Sequence, residues 1–215
     1  MIRTDLAVES FTADELPDSV HIKKRGNFFD ITEIIIDDDS CLESLGKGKG
    51  RYVTLECGSL SRFCDDYKNM ALEFSRELSE FIPEGDVLVA GLGNSDITPD
   101  ALGPKIVSKV LATRHLKNEL ADNDEFFLCS LRPVAAFAGG VLGQAGIETA
   151  EVIRSISDEI KPSVIIAADA LACSDVSRLG TTIQLSDNGI SPGSGVANSR
   201  RELNEKGMGI PVVAV

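Results

Sequence analysis

Short apolar runs alternate with helical patterns from residue 86 to residue 168, and this alternation constrains the fold more than any other feature of the sequence. The runs have the length of buried strands, and the segments between them repeat apolar residues at the spacing of a helix face. A β-α-β-α-β order predicts an α/β fold with a mainly parallel, twisted sheet, helices on both faces and right-handed connections. The predicted strands are Asp86–Ala90, Phe126–Val134, Ser163–Ala168, Thr181–Leu185 and Ile210–Val215, and the predicted helices are Pro104–Leu116, with Ile106, Val107, Val110 and Leu111 inward, and Ile147–Ile160.

The N-terminal part follows a different pattern. Ile31–Ile36 and Arg51–Glu56 are predicted strands. Apolar residues then recur from Phe63 to Phe81 at the spacing of an amphipathic helix, which Pro83 ends. We therefore expect one α/β domain over residues 1–215, with a strand-containing extension over 1–60 and the α/β core over 61–215. The last predicted strand is expected to pair beside Ser163–Ala168 in the sheet.

The charge of the chain argues against nucleic acid as a direct partner. The 215 residues include 34 acidic and 21 basic side chains, a formal net charge of −13 at pH 7. Nucleic-acid binding requires a basic surface instead. With 43% apolar and 26% charged residues, the composition is that of an ordinary globular protein.

Cysteine use and the N-terminus indicate a cytoplasmic protein. The five cysteines include no Cys-x-x-Cys pair, and an odd number favours reduced thiols over a disulfide framework. The N-terminus carries Arg3, Asp5 and Glu9 and lacks the apolar core of a secretory signal. No apolar run approaches the ~20 residues of a membrane helix, so we expect no membrane association.

Two aspartates stand where an open α/β sheet places its ligand site. Asp169 directly follows the run Val164–Ala168, and Asp100 lies in the segment after the run that ends at Ala90. Ligands bind beyond the carboxyl ends of parallel strands, where a purely structural carboxylate after apolar residues is costly. Two carboxylates held close titrate as a coupled pair. Such a pair activates water when the ionised group accepts its proton and the protonated group assists the leaving amine.

The segment around Asp100 also has a purely structural interpretation. Thr98-Pro99-Asp100 is typical of a helix start with Thr98 as the cap, where the aspartate would only complement the helix dipole. Pro104 then predicts a short turn before the helix proper. Glycine-rich segments at 138–146 and 187–198 either line a binding cleft or simply connect elements, and the sequence leaves both possibilities open. The candidate cleft residues are Gly93, Asn94, Thr98, Asp187, Ser194 and Gly195.

Two other motif matches fail on their chemistry. Gly91-Leu-Gly93 resembles the start of a dinucleotide fingerprint, but Asp96 occupies the position that requires a small residue and would repel pyrophosphate. Gly189–Gly193 resembles a serine nucleophile elbow, but Pro192 has no N–H for the oxyanion hole. Both histidines, moreover, precede that serine in the chain.

A metal hydrolase stays open as a third possibility. The two histidines are far apart and no His-Glu-x-x-His motif is present, so a metal site would have to be rich in carboxylates. Asp100, Asp169 and Asp187 could supply such a site.

Many segments, in order along the whole chain, resemble the germination protease family of spore-forming bacteria. These segments are Ile2–Glu9, Gly48–Glu56, Thr98–Lys105, Thr113–Leu116, Gly146–Thr149, Asp169–Leu171, Ser191–Val196 and Gly209–Pro211. The resemblance implies an atypical aspartic endopeptidase that degrades small acid-soluble spore proteins during germination and needs no metal or cofactor. The two essential aspartates of the family fall on Asp100 and Asp169.

The resemblance carries further expectations. It implies a zymogen, a homotetramer and a location in the cytoplasm of the spore core. It also implies a fold similar to the hydrogenase maturation proteases, whose Gly-x-Gly-Asn motif recurs at Gly91–Asn94. The nickel-site histidine of those enzymes has no obvious counterpart here. Because the resemblance starts at Ile2 and family proteins continue past the position of Val215, we expect either a mature form or a member with little pro-segment, and a C-terminal truncation.

Two alternative functions remain beside this one. The first is a metal-dependent, maturation-type peptidase that uses the same aspartates as ligands. The second is a non-catalytic α/β domain whose glycine-rich loops bind a small anion.

Overall fold

A computed structural model describes residues 4–11, 17–42, 46–58, 66–116, 131–190 and 202–215. Within these residues, eight strands form one mixed sheet in the order β1-β2-β3-β7-β8-β6-β4-β5. The strands are β1 Val20–Arg25, β2 Asp30–Ile36, β3 Gly50–Glu56, β4 Val87–Gly91, β5 Val134–Ala138, β6 Val164–Ala168, β7 Thr182–Ser186 and β8 Val212–Ala214. The helices are α1 Tyr67–Ser79, α2 Leu102–Val107, α3 Leu142–Ala145, α4 Thr149–Ile160 and α5 Glu205–Met208.

The α/β class is confirmed, and helices cover both faces of the parallel part of the sheet. Successive side chains of a strand point to opposite faces. On one face, Leu88 of β4 lies in a cluster with Ile153 of α4, which is fully buried. On the other face, Val87 and Val89 lie in a cluster that packs against Leu78 of α1. β4, β6 and β8 are therefore continuous apolar runs, because their two faces are covered.

The C-terminal strand takes the predicted place. β8 pairs in parallel with β6, with Ile165 opposite Val212, and β6 pairs in parallel with β4. Val212 and Val213 are buried in the clusters on the two faces. The prediction that residues near 210–215 join the sheet beside Ser163–Ala168 is confirmed.

The prediction of a mainly parallel sheet is wrong for the other half. β1, β2, β3 and β7 pair antiparallel with one another, and β7 also meets β8 antiparallel. β2 and β3 are consecutive in the chain and adjacent in the sheet, and direct connections of this kind join antiparallel strands. The sequence did not predict β1, because this edge strand, Val-His-Ile-Lys-Lys-Arg, is polar. Charged side chains on an edge strand discourage pairing with other chains.

Two predicted elements have clearly different bounds. The helix predicted over Pro104–Leu116 ends at Val107, and Leu111 is 73% exposed instead of inward. It ends there because the chain turns to reach β5, where the Thr113 N–H donates to the Val134 carbonyl. The strand predicted over Phe126–Val134 instead begins at Val134, as far as its described residues show.

The amphipathic helix is confirmed over Tyr67–Ser79, although Tyr67 itself is 71% exposed. Met70, Phe74 and Leu78 pack against the core as the spacing predicts, whereas Phe63 lies outside the described residues. In the part of the chain that the structure describes, no helix combines the length and apolar character needed to cross a bilayer.

Candidate functional site

The register of β4 and β6 brings the two predicted catalytic aspartates to the same edge of the sheet. Gly91, the last residue of β4, lies opposite Ala168, the last residue of β6. The ladder extends one step further, since the Leu92 N–H donates to the Ala168 carbonyl at 2.8 Å. Asp169 is the next residue after β6, and the loop that carries Asp100 leaves β4 beside it.

The backbone of Asp169 is hydrogen-bonded to the sheet. Its N–H donates to the carbonyl of Val215 at 3.0 Å, which extends the pairing between β6 and β8. Its carboxylate is half-buried, and Oδ1 accepts the N–H of Ala170 at 2.8 Å. The aspartate therefore leaves the sheet at a fixed point, and its carboxylate bonds to the first residue of the loop that follows.

Asp100 is positioned by a loop that folds back on itself. Its Oδ2 accepts the Asn94 N–H at 2.8 Å, and its own N–H donates to Ile97 at 2.9 Å. Gly93 makes this return possible: it has φ +106°, and a Cβ there would overlap the Asp100 carbonyl oxygen. Both the glycine and the asparagine among the candidate cleft residues therefore shape the loop around Asp100.

The turn at Thr98–Asp100 differs in detail from its prediction. As expected, a short 3-10 turn precedes α2. Thr98, however, lies inside this turn and does not cap it: the capping position belongs to Ile97, and no side chain supplies the cap bond. Pro99 occupies the first part of the turn, where its missing N–H costs nothing.

Two glycines allow α2 to sit directly on the strand ends. A Cβ on Gly103 would overlap the carbonyl oxygens of Leu92 and Ala168 and would lie 2.5 Å from Leu92 N. A Cβ on Gly91 would overlap the Gly103 carbonyl. The helix that follows Asp100 therefore touches the backbone of both strands from which the aspartates emerge.

Gln144 is a site residue that the sequence analysis missed. Its Nε2 donates to Oδ1 of Asn94 at 2.9 Å, and the same oxygen accepts the Asp96 N–H at 2.9 Å. Asn94 is 8% exposed, so these bonds satisfy a buried amide. Gln144 lies on α3, a single turn of helix inside the segment 138–146. The first glycine-rich segment thus contacts the Asp100 loop.

Of the remaining candidates, only Asp187 belongs to the residues that the structure describes. β7 runs antiparallel to β8, so Asp187 leaves the sheet in the direction opposite to Asp169. Its Oδ1 accepts the Arg51 N–H at 2.7 Å, which ties the second glycine-rich segment to β3. Ser194 and Gly195 lie outside the described residues, and their predicted roles remain predictions.

The arrangement supplies two carboxylates at one edge of neighbouring parallel strands, the place where α/β folds bind ligands. The groups are half-buried, so they can exchange protons with a bound molecule. Among the residues that the structure describes, no three His, Cys, Asp or Glu side chains gather as a metal-binding group.

Removing the Gln144 side chain tests the link between the two loops. Gln144→Ala leaves the buried Asn94 oxygen with one donor fewer, and we expect the free energy of unfolding to fall by about 1 kcal/mol. Chemical denaturation measures this as a lower midpoint with an unchanged slope. Ser95→Ala in the same loop is the control, because its hydroxyl makes only an exposed 3.4 Å contact with Asp96. Equal stability of Gln144→Ala and wild type would contradict the proposed anchoring.

Comparison with known proteins finds that the chain is similar to members of one protein family. The family described as Germination protease matches residues 6–215. The germination protease of Clostridium tetani is 41% identical over 226 residues, covering 100% of this chain and 68% of the relative. The germination protease of Clostridium acetobutylicum is 42% identical, with 100% and 68% covered. That of Bacillus subtilis is 39% identical, with 100% of this chain and 62% of the relative covered.

Proposed function

The chain belongs to the germination protease family, and on this premise we propose that it is an endopeptidase that degrades small acid-soluble spore proteins during spore germination, with Asp100 and Asp169 as its catalytic pair. The peptidase activity follows from the family. The aspartate mechanism is supported by one observation above all: Gly91 and Ala168 are opposite each other, so both aspartates follow the carboxyl ends of adjacent strands.

The proposed mechanism divides acid and base roles between the two carboxylates. The ionised aspartate accepts a proton from water while the water oxygen attacks the scissile carbonyl carbon. The protonated aspartate donates a hydrogen bond to the carbonyl oxygen as it gains negative charge. The C–N bond then breaks, and the leaving amine takes a proton from the pair. Two carboxylates that share one proton are suited to this cycle, because the pair again holds one proton at the end of each turnover.

Several further properties belong to the same proposal by family resemblance. We propose that the protein is made as a zymogen, assembles as a homotetramer and acts in the cytoplasm of the spore core. The parallel strands β8, β6, β4 and β5 with their strand-end aspartate suggest an architecture similar to the hydrogenase maturation proteases. The division into an extension over 1–60 and a core over 61–215 remains part of this proposal.

A chelation experiment separates the aspartate pair from a metal-dependent peptidase. We expect cleavage of a purified small acid-soluble spore protein to continue unchanged after dialysis against excess EDTA. The sequence has no histidine near either aspartate motif, whereas a catalytic zinc usually has at least one nitrogen or sulfur ligand. A zinc peptidase treated in parallel controls for complete chelation. Loss of cleavage that a single divalent metal restores would favour the metal-dependent alternative.

A further inference from the structure

The loop after Asp169 is fastened by the N-terminal segment of the chain. The Asp5 N–H donates to the Ala172 carbonyl, and the Ala172 N–H donates to Oδ2 of Asp5, both at 2.8 Å. This two-way pairing fixes the loop three residues after Asp169. Further along, the same loop meets Glu9.

Glu9 makes the densest set of contacts to this loop. One carboxylate oxygen accepts both the N–H and the hydroxyl of Ser174 at 2.7 Å, and the other accepts the Asp175 N–H at 3.0 Å. Arg178, at the end of the loop, approaches the second oxygen at 3.5 Å and donates to Glu56 at 2.9 Å. The Glu9 side chain is only 3% exposed, so water cannot easily replace these partners.

The charge of Glu9 is maintained in this setting. Burial acts to raise its pKa, but hydrogen bonds from Thr4, Ser174 and Asp175 outweigh burial and lower the pKa to about 2. An ionised carboxylate makes stronger hydrogen bonds than a neutral acceptor does. Its hold on the loop is thus present throughout the neutral range.

The N-terminal segment is itself rigidly seated, which makes it a firm base for the loop. The Ala7 N–H donates to Gln184 Oε1 at 2.6 Å, and the Gln184 amide donates to the Asp5 carbonyl at 3.1 Å. Lys47 donates to the same carbonyl at 2.6 Å. Ala7 is fully buried in the cluster formed with β1, β2 and β3. Glu9 therefore connects the antiparallel half of the sheet to the loop that begins at Asp169.

We propose that Glu9 is a positioning residue of the active site: by fixing Ser174 and Asp175 it holds the loop that sets the direction of the Asp169 side chain. This inference rests on the proposed function, because it assumes that Asp169 takes part in catalysis. In this role Glu9 acts through its bonds to Ser174 and Asp175 and not on the reacting atoms. It acts by limiting the conformations of residues 170–178.

Glu73 offers a matched control for this role. It is likewise a buried carboxylate, 8% exposed, and accepts three backbone N–H groups from Asn27, Phe28 and Phe29 at 2.8–2.9 Å. These bonds tie α1 to the turn between β1 and β2, away from the loop after Asp169. Glu9→Ala and Glu73→Ala should therefore cost similar stability but differ in their effect on catalysis.

Steady-state kinetics on a spore protein substrate give the main test, at a temperature where circular dichroism shows every variant folded. We expect Glu9→Ala to lower kcat by about tenfold or more, since small displacements of a catalytic group are costly. KM should stay within about twofold of wild type, because substrate contacts are retained. Glu73→Ala should keep the wild-type kcat. Glu9→Gln, which retains an acceptor oxygen, should recover part of the loss.

Hydrogen–deuterium exchange gives a second readout that does not depend on activity. Glu9→Ala should speed exchange at residues 170–178, and Glu73→Ala should not. A wild-type kcat or unchanged loop exchange in folded Glu9→Ala would overturn the inference, as would an equal kcat loss in Glu73→Ala. Asp169→Asn distinguishes the two proposals: full activity of that variant refutes the aspartate mechanism, whereas its inactivity beside a fully active Glu9→Ala refutes only the role of Glu9.

Discussion

Replacing either Asp100 or Asp169 with asparagine is expected to reduce peptide-bond hydrolysis by about two to four orders of magnitude, the range by which a general acid or base contributes to catalysis. Asparagine keeps the shape of aspartate but cannot accept or release the proton that the mechanism moves. Each variant should therefore bind substrate and fail at the chemical step. The loss should appear in kcat, with little change in KM.

The contacts of both carboxylates indicate that these variants will fold. The Asp100 carboxylate accepts the Asn94 N–H, and that of Asp169 accepts the Ala170 N–H. An asparagine side-chain carbonyl can accept the same bonds. Thermal unfolding should thus remain close to wild type, which separates a chemical defect from a folding defect.

Asp96→Asn is the matched control for the pair. Asp96 lies in the same loop as Asp100, but its carboxylate is exposed and its contact with Gln144 is 3.3 Å. Its conversion to asparagine removes one negative charge near the site and leaves the strand-end aspartates intact. Turnover should stay close to that of wild type, because both strand-end aspartates are unchanged, and stability should change little, as for surface substitutions in general. A folded Asp100→Asn or Asp169→Asn variant with wild-type turnover would refute the paired mechanism.

The sequence predicted the features that depend on local pattern. The run Val164–Ala168 followed by Asp169 has the length and composition of a buried parallel strand, and β6 has these bounds. The C-terminal run and the amphipathic helix before Pro83 carried equally strong patterns. Because strand ends in an α/β sheet have a defined relation to the ligand site, the positions of both aspartates could be inferred from the same pattern.

Features that depend on contacts between distant segments could not be predicted. Glu9 bonds Ser174 across most of the chain, and Gln144 reaches Asn94 from a four-residue helix whose glycine-rich flanks favour a loop. β1 has too many charged residues to look like a strand until β2 pairs with it. These residues are defined by their partners, which no periodicity encodes.

The backbone contact between α2 and the strand ends predicts that Gly103→Ala lowers both stability and turnover. In Gly103→Ala the added methyl group would overlap the carbonyl oxygens of Leu92 and Ala168. These backbone atoms belong to the ladder that continues β4 and β6, with Leu92 donating to Ala168 at 2.8 Å. They cannot withdraw without breaking that hydrogen bond. We therefore expect α2 to move away from the sheet and to take Asp100 with it.

The expected cost of Gly103→Ala is about 3 kcal/mol in the free energy of unfolding, the upper part of the usual range for overpacking. For a chain of this size, that lowers the melting temperature by about 6–12 °C. Turnover of the folded protein should fall by about 100-fold, because displacement of a catalytic group by about 1 Å has that effect. Differential scanning calorimetry and steady-state kinetics measure the two consequences separately.

Gly143→Ala controls for the general effect of changing a helical glycine. Gly143 lies in α3 with open space around its Cβ position, so alanine there should leave stability unchanged or raise it slightly. The comparison isolates close approach from helix propensity, which favours alanine at both positions. If Gly103→Ala melted and turned over like wild type, α2 would have room to adapt. The close seating of this helix would then not be what positions Asp100 beside β6.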